Sequence, residues 1–209
     1  MEAFEREIYA HYFSYGNIRP APCEPQNVPL DFLLQKYEAF FFDAFGTFYA
    51  QKEVLYPGAL EMYRKVRETK KPTRLVTNAA SASIPQLMES LARMRIPFAE
   101  SEIISSGSLF PAFAQENGIR EAFYIGRPGG ASFLEAGGVD ISENPAEATV
   151  IVSATGKEDT LFERAVQILI RPGARLVVLN PYALAPRIGK PREAVSGAYA
   201  HRLYLEAKP

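Results

Sequence analysis

In the run FFFDAFGTFYA, residues 40–50, one carboxylate, Asp43, ends an apolar stretch and is followed by Gly46 and Thr47. The run TRLVTNAA then closes on Thr77 and Asn78, a hydroxyl and an amide, with Thr77 lying 34 positions after Asp43. A carboxylate can attack an electrophilic centre, and hydroxyl, amide and loop N–H donors can hold the charge that develops on its oxygens. Asp43 as nucleophile, Thr77 beside it, and Asn78 and the Gly46 loop as oxyanion ligands together suit phosphoryl transfer. The plainer alternatives remain open at this point: Asp43 as a cap on a turn after a strand, and Thr77–Asn78 as an ordinary turn.

These residues need strands that end side by side. EAFFFD reads as a buried strand, Pro57–Gly58 opens a helix over ALEMYRKVRETK, and TRLVT is a second strand. Ser83 is an expected N-cap, with Pro85 in the first turn of a helix carrying Ile84, Leu87, Met88 and Leu91 on one face. EIISS is a third strand, and AFYIG, ATVIVSA and ARLVVLN follow, separated by a glycine turn RPGG and helices over ASFLEAG and TLFERAVQILI. Strands alternating with helices predict βαβ units and parallel sheets. In such sheets ligands bind beyond the carboxyl ends of the strands, which is where Asp43 and Thr77 fall, on strands about 5 Å apart.

The rest of the chain narrows the chemistry. It has 209 residues, 23 Lys and Arg against 24 Asp and Glu, and a net charge of −1. No global charge favours nucleic acid or an anionic membrane, and no stretch of about 18 apolar residues reads as a membrane span. The charged start MEAFEREIYAHYF does not read as a signal peptide, so a cytoplasmic location is expected. Cys23 is the single cysteine, and His11 and His201 are the two histidines, which excludes a disulfide or cysteine-built metal site within the chain. His201, beside Arg202, reads as a surface residue of a last helix over EAVSGAYAHRLYLEA. Residues 1–36 read as an extension, because four prolines in NIRPAPCEPQNVPLD oppose a regular helix. IGRPGGASF lacks the lysine of a P-loop and the spacing of a dinucleotide fingerprint.

FFFDAFGTFYAQKEVLYPGALE, RLVTNAASASIPQLMESLARMRI, SEIISSGSLF, FYIGRPGGASFLEAGG and RLVVLNPYA together resemble the haloacid dehalogenase-like (HAD) hydrolases. The likeness is to their class IIA branch, with its nitrophenylphosphatase-like and sugar-phosphatase-like members, and it covers most of residues 37–188. It implies a Rossmann-like α/β core with an α/β cap of the C2 type inserted after the second motif. The organisation expected is an extension 1–36, a core 37–110, a cap 111–188 and a return segment 189–209. The resemblance makes Asp43 the nucleophile of a phosphatase working through an aspartyl-phosphate, with Thr77 holding the phosphoryl group. It implies Mg²⁺ bound by Asp43, by the backbone carbonyl of Phe45 and by an acid from a fourth motif. The expected partner is a small phosphorylated metabolite, and self-association into a homo-oligomer is left open.

Three positions depart from that pattern. Where family phosphatases carry a second aspartate as general acid and base, Phe45 stands; such help is typically worth about 10² to 10⁴ in rate. GKP at Gly189–Pro191 offers Lys190 as the lysine of the third motif, although the surrounding segment looks like the one preceding it; Lys208 lies almost at the chain end. No Gly-Asp motif follows either lysine. Two readings stand for that absence: the chain is a shortened copy without the C-terminal part of the core, or it is a degenerate relative. The second would be a binding or interaction protein rather than an enzyme.

Overall fold

The computed structural model describes residues 3, 6–10, 24, 26–50, 53–154, 159–187 and 189–207. His11, Cys23 and Lys208 lie outside the described residues, as does most of the expected extension. Within that extension, residues 6–10 are helical, and Ile8 packs, fully buried, with Ala183 and Ala198. Helix α1, Leu30–Lys36, starts at Pro29, the last of the four prolines.

The first sheet holds three parallel strands in the order β1 (Phe40–Phe42), β2 (Thr73–Thr77), β3 (Ile103–Ser105). Helix α2 (Ala59–Glu68) joins the first two and α3 (Ile84–Arg93) the last two. Both helices lie against the same sheet face, where Tyr63, Leu75, Leu87, Leu91 and Ile103 form one core cluster. Gly58 starts α2 in the left-handed region, at φ 80°. Ser83 caps α3 with the expected box: its hydroxyl accepts from the Gln86 amide while the Gln86 side chain accepts from the Ser83 amide.

The opposite face of this sheet is open among the described residues. Phe41 is 68% exposed, Val76 42% and Ile104 38%, all on that face by strand alternation. Since Phe41 contributes little burial, Phe41→Thr is expected to change stability by no more than about 0.5 kcal/mol. Leu75→Ala, on the packed face, is expected to destabilise by about 2–5 kcal/mol. Urea denaturation of the two variants checks the contrast.

The second sheet is covered on both faces. Its parallel strands run in the order β5 (Asp140–Ile141), β4 (Glu121–Ile125), β6 (Thr149–Val152), β7 (Arg175–Val178). Helices α4 (Ser106–Glu116) and α5 (Pro128–Ala136) supply Phe110, Ala114, Phe133 and Leu134 against Ala122 and Ile151. Helices α6 (Asp159–Leu169) and α7 (Ser196–Ala207) pack Ala165, Ile168, Tyr199 and Leu203 against Phe123, Ile125, Val150 and Val152. Every residue of β6 is buried, as expected for a continuous apolar run in the middle of a parallel sheet.

Two expectations need correction, on RPGG and on His201, and one helix adds to the elements read from the sequence. Residues 106–116 form a helix although Pro111 lies inside it, because Ser105 and Ser108 build a capping box at its start. That helix crosses the expected 110/111 boundary and packs with the second sheet. The glycines of RPGG form no free turn but lie in the first turn of α5. His201 is not a surface residue: it is 4% exposed, on a stretch of α7 buried from Ser196 through His201. A short antiparallel pair, β8 (Leu184–Ala185) with β9 (Glu193–Ala194), also occupies a segment that carries no strand signal. Among the described residues no helix is long and apolar enough to cross a membrane.

Candidate active site

The strand register sets the site. Phe42 stands opposite Leu75, so Asp43 leaves β1 where Val76 and Thr77 end β2; Thr77 in turn stands opposite Ser105. Asp43, Thr77 and Ser105 therefore mark the same carboxyl rim of three adjacent parallel strands. Asn78 follows Thr77 on that rim, half-buried.

Asp43 is half-buried. Burial pushes its carboxyl above the ordinary aspartate value of 3.8, and a hydrogen bond from the Ala44 amide opposes that rise. Loss of water disfavours the charged form, and one N–H donor offsets it only in part. The result is a carboxylate less solvated than one on an open surface, and correspondingly more basic.

Beyond Asp43 the chain folds into a compact flap. The Ala44 carbonyl accepts from the Phe48 amide at 2.9 Å, and the Gly46 amide donates to the Tyr49 carbonyl at 2.8 Å. Gly46 adopts φ 96°, a left-handed conformation that side chains resist, and so makes the turn possible. Its amide is engaged with Tyr49, so Gly46 serves the shape of the loop; it does not present a free donor to an anion. Phe48 is fully buried, with ring centroids 4.9 Å from Phe42, 6.1 Å from Tyr63 and 6.2 Å from Phe98. The Phe45 and Tyr49 rings meet edge-on at 5.7 Å. Burial, then the charges of Asp43 and Glu53, push the Tyr49 phenol up.

The flap is clasped to α3. Glu53 sits in the left-handed region at φ 62°, and its carboxylate accepts from Ser90 at 2.7 Å and from Arg93 at 2.5 and 3.1 Å. Those bonds, Arg93 first, hold its carboxyl down at about 2. Sequence reasoning missed this clasp, because a Glu and an Arg 40 positions apart carry no local signal.

Thr77 is buried, and its hydroxyl oxygen accepts from the Ala79 amide at 3.3 Å. A hydroxyl that accepts from the backbone keeps its own proton for a further partner. On the neighbouring strand end, the Ser106 hydroxyl is buried without a hydrogen-bond partner among the described residues. The return segment also reaches the site: Pro186 lies 3.9 Å from where a side chain on Gly46 would begin. Lys190, four residues on, is exposed. Among the described residues, the influences on the Asp43 carboxyl are burial and the Ala44 amide.

The loop after Asn78 is also where the second sheet docks. A Cβ at Gly129 would collide with the Gln86 side chain and lie 3.0 Å from the Ala82 Cα, and one at Gly130 would collide with the Ala80 carbonyl and the Tyr124 hydroxyl. The glycines of RPGG thus let α5 approach backbone to backbone. Gly130→Ala is expected to destabilise by about 1–3 kcal/mol through overpacking, measured as a lowered thermal midpoint.

The donors for Mg²⁺ are few. The resemblance assigns it to Asp43, the Phe45 carbonyl and one further acid. Among the described residues no three His, Cys, Asp or Glu side chains stand together as a metal cluster. Mg²⁺ demands near-octahedral oxygen coordination, and one carboxylate with one carbonyl does not amount to a metal site.

Residues 40–140 match the sequence model of the haloacid dehalogenase-like hydrolases. No curated protein matches the sequence. Among solved structures, a 4-nitrophenylphosphatase from Thermotoga maritima is similar at TM-score 0.69 and 23% identity, over 85% of this chain and 67% of that one. A possible sugar phosphatase of the HAD superfamily from Cytophaga hutchinsonii is similar at TM-score 0.76 and 21% identity, over 88% and 69%. A p-nitrophenyl phosphatase from Archaeoglobus fulgidus is similar at TM-score 0.68 and 21% identity, over 82% and 66%. The chain thus spans about two thirds of the length of these structures. The parallel sheets, the rim that holds Asp43 and Thr77, and the matched sequence agree: residues 40–140 are similar to the haloacid dehalogenase-like hydrolases, and the chain carries the fold of the nitrophenylphosphatase-like structures it resembles.

Proposed function

We propose that the protein is a phosphatase of small phosphate esters that works through an aspartyl-phosphate on Asp43. The observation that carries the reading is the half-buried, weakly solvated carboxylate at the carboxyl rim of β1, beside the rim position of Thr77. A carboxylate in that state is a better nucleophile than one in bulk water, and the rim is where open α/β sheets take ligands.

In the first step an Asp43 carboxylate oxygen forms a bond to phosphorus as the bond to the leaving oxygen breaks. In the second, water attacks phosphorus, the phosphoryl–Asp43 bond breaks, and phosphate departs with the carboxylate restored. Thr77 donates its free hydroxyl proton to a phosphoryl oxygen, and Asn78 is the amide placed to donate to another. Gly46 fixes the flap that follows the nucleophile. Lys190 is the lysine this chain offers as a counter-charge, from the loop after Pro186. A cytoplasmic location and a small phosphorylated metabolite as partner fit this chemistry.

A panel of phosphate esters, incubated with the protein in excess Mg²⁺ and again with a chelator, tests the reading. Release of inorganic phosphate above the protein-free rate is expected. No release from any ester in either condition would instead favour a binding protein on the same scaffold.

A further inference from the structure

We propose that the Tyr49 hydroxyl is a substrate contact of this site, a neutral donor that hydrogen-bonds a phosphoryl oxygen of the ester attacked by Asp43. The inference rests on the aspartyl-phosphate reading above and adds to it a residue that binds the reacting group.

The flap fixes where Tyr49 stands. Its carbonyl accepts from the Gly46 amide at 2.8 Å, and its backbone bridges to Phe45 on one side and to Leu55 on the other. Its neighbours are tied as well: the Phe48 carbonyl accepts from the Tyr56 amide at 2.9 Å, and the Ala50 amide donates to the Val54 carbonyl at 3.2 Å. The ring is half-buried, packs on the first core cluster and meets Phe45 edge-on. A side chain held in this way loses little further freedom when it binds.

The hydroxyl at the end of this ring is unused. Tyr63 donates to the Pro97 carbonyl and Tyr124 to the Arg127 carbonyl. The Tyr49 hydroxyl has no hydrogen-bond partner among the described residues. Nor is it sealed in the interior, as the unbonded Ser106 and Thr149 hydroxyls are, so it stays open to solvent and to a ligand.

Its electrical surroundings place it with the nucleophile. Two carboxylates act on the phenol through space, Asp43 more than Glu53, and together with burial they push it above its ordinary value of 10. Glu53 already accepts from Ser90 and Arg93, which leaves the phenol proton for whatever binds at Asp43. A phenol that resists ionisation is a donor throughout the neutral range, and an anion beside it disfavours loss of the proton further. A phosphoryl group brought up to a carboxylate needs such donors to offset the repulsion between like charges. Thr77 and Asn78 come to it from the end of β2 and Tyr49 from the flap after β1. Tyr49 keeps its proton through both steps; the bonds that form and break are those at phosphorus.

Tyr49→Phe removes the oxygen and leaves the ring. With the intact chain in excess Mg²⁺, the variant is expected to lower kcat/KM for 4-nitrophenyl phosphate about 10- to 100-fold, the loss that accompanies removal of a hydrogen bond to a charged group. The inhibition constant of inorganic phosphate is expected to rise about tenfold for the same reason. The thermal midpoint is expected to stay within about 2 °C of wild type, because no group of the folded chain loses a bond. A phosphate inhibition constant within about twofold of wild type would overturn the proposal whatever the turnover, since a packing role moves the midpoint and not the affinity for the anion. Asp43→Asn separates the two claims. If it turns the ester over as wild type does, the aspartyl-phosphate reading fails and this proposal with it. If it is inactive while Tyr49→Phe is inhibited by phosphate as wild type is, the reading stands and this proposal alone is lost.

Discussion

Replacing Asp43 with Asn is expected to lower phosphatase turnover by about 10⁴-fold or more and, at neutral pH, to make the folded chain more stable. The first effect follows from chemistry: an amide oxygen of the same shape does not form the phosphoryl bond, and losses of this order accompany removal of a nucleophile. The second follows from linkage. Burial raises the folded-state pKa of Asp43 above its unfolded value, so the native chain binds this proton more tightly than the unfolded chain does. Stability from this group is therefore full at low pH and declines as pH rises from the ordinary aspartate value through the folded pKa. Asn carries no charge and escapes that decline. Paired denaturation curves of wild type and Asp43→Asn in metal-free buffer are expected to converge below pH 3.8 and to diverge, with the variant higher, at neutral pH. A variant less stable than wild type at neutral pH would show the carboxylate to be a structural partner, and not a strained functional group.

Phe48→Ala is expected to carry the largest loss of stability, about 3–5 kcal/mol, because a fully buried ring is removed from between Phe42, Tyr63 and Phe98. That is a large share of the roughly 5–15 kcal/mol typical of a domain. The site is affected as well. The Phe48 amide bonds to the Ala44 carbonyl and its carbonyl accepts from Tyr56, so the ring anchors the flap that turns back beside Asp43. Chemical denaturation checks the magnitude. A loss below about 1 kcal/mol would mean that the flap is not packed on the core as described.

Much of this architecture is legible in the sequence for identifiable reasons. The strands EAFFFD, TRLVT and ATVIVSA are short apolar runs bounded by turns. Ser83 with Gln86 three residues later writes its cap into four positions. Asp43 and Thr77 could be placed at one rim because parallel strands with intervening helices leave few alternatives. Other features were hidden. Pro111, Gly107 and two serines give α4 the composition of a loop, and only the Ser105–Ser108 box betrays its start. RPGG looks like a turn, yet its glycines answer to the backbone of Ala80 and Ala82, a contact between segments far apart in sequence. The burial of His201 depends on which face of α7 meets its neighbours, which its own periodicity does not settle. Gly46 was expected to offer an amide to an anion, but that amide closes the turn onto Tyr49.

The proposed reaction requires the carboxylate of Asp43 to become covalently phosphorylated at the sheet rim. Acid-quenched protein, taken during turnover of 4-nitrophenyl phosphate and digested for mass spectrometry, reads this directly. One phosphoryl increment on the peptide carrying Asp43, labile to hydroxylamine and absent from Asp43→Asn, is the expected result. Sustained turnover with no adduct on that peptide, or with the same adduct in the variant, would contradict it.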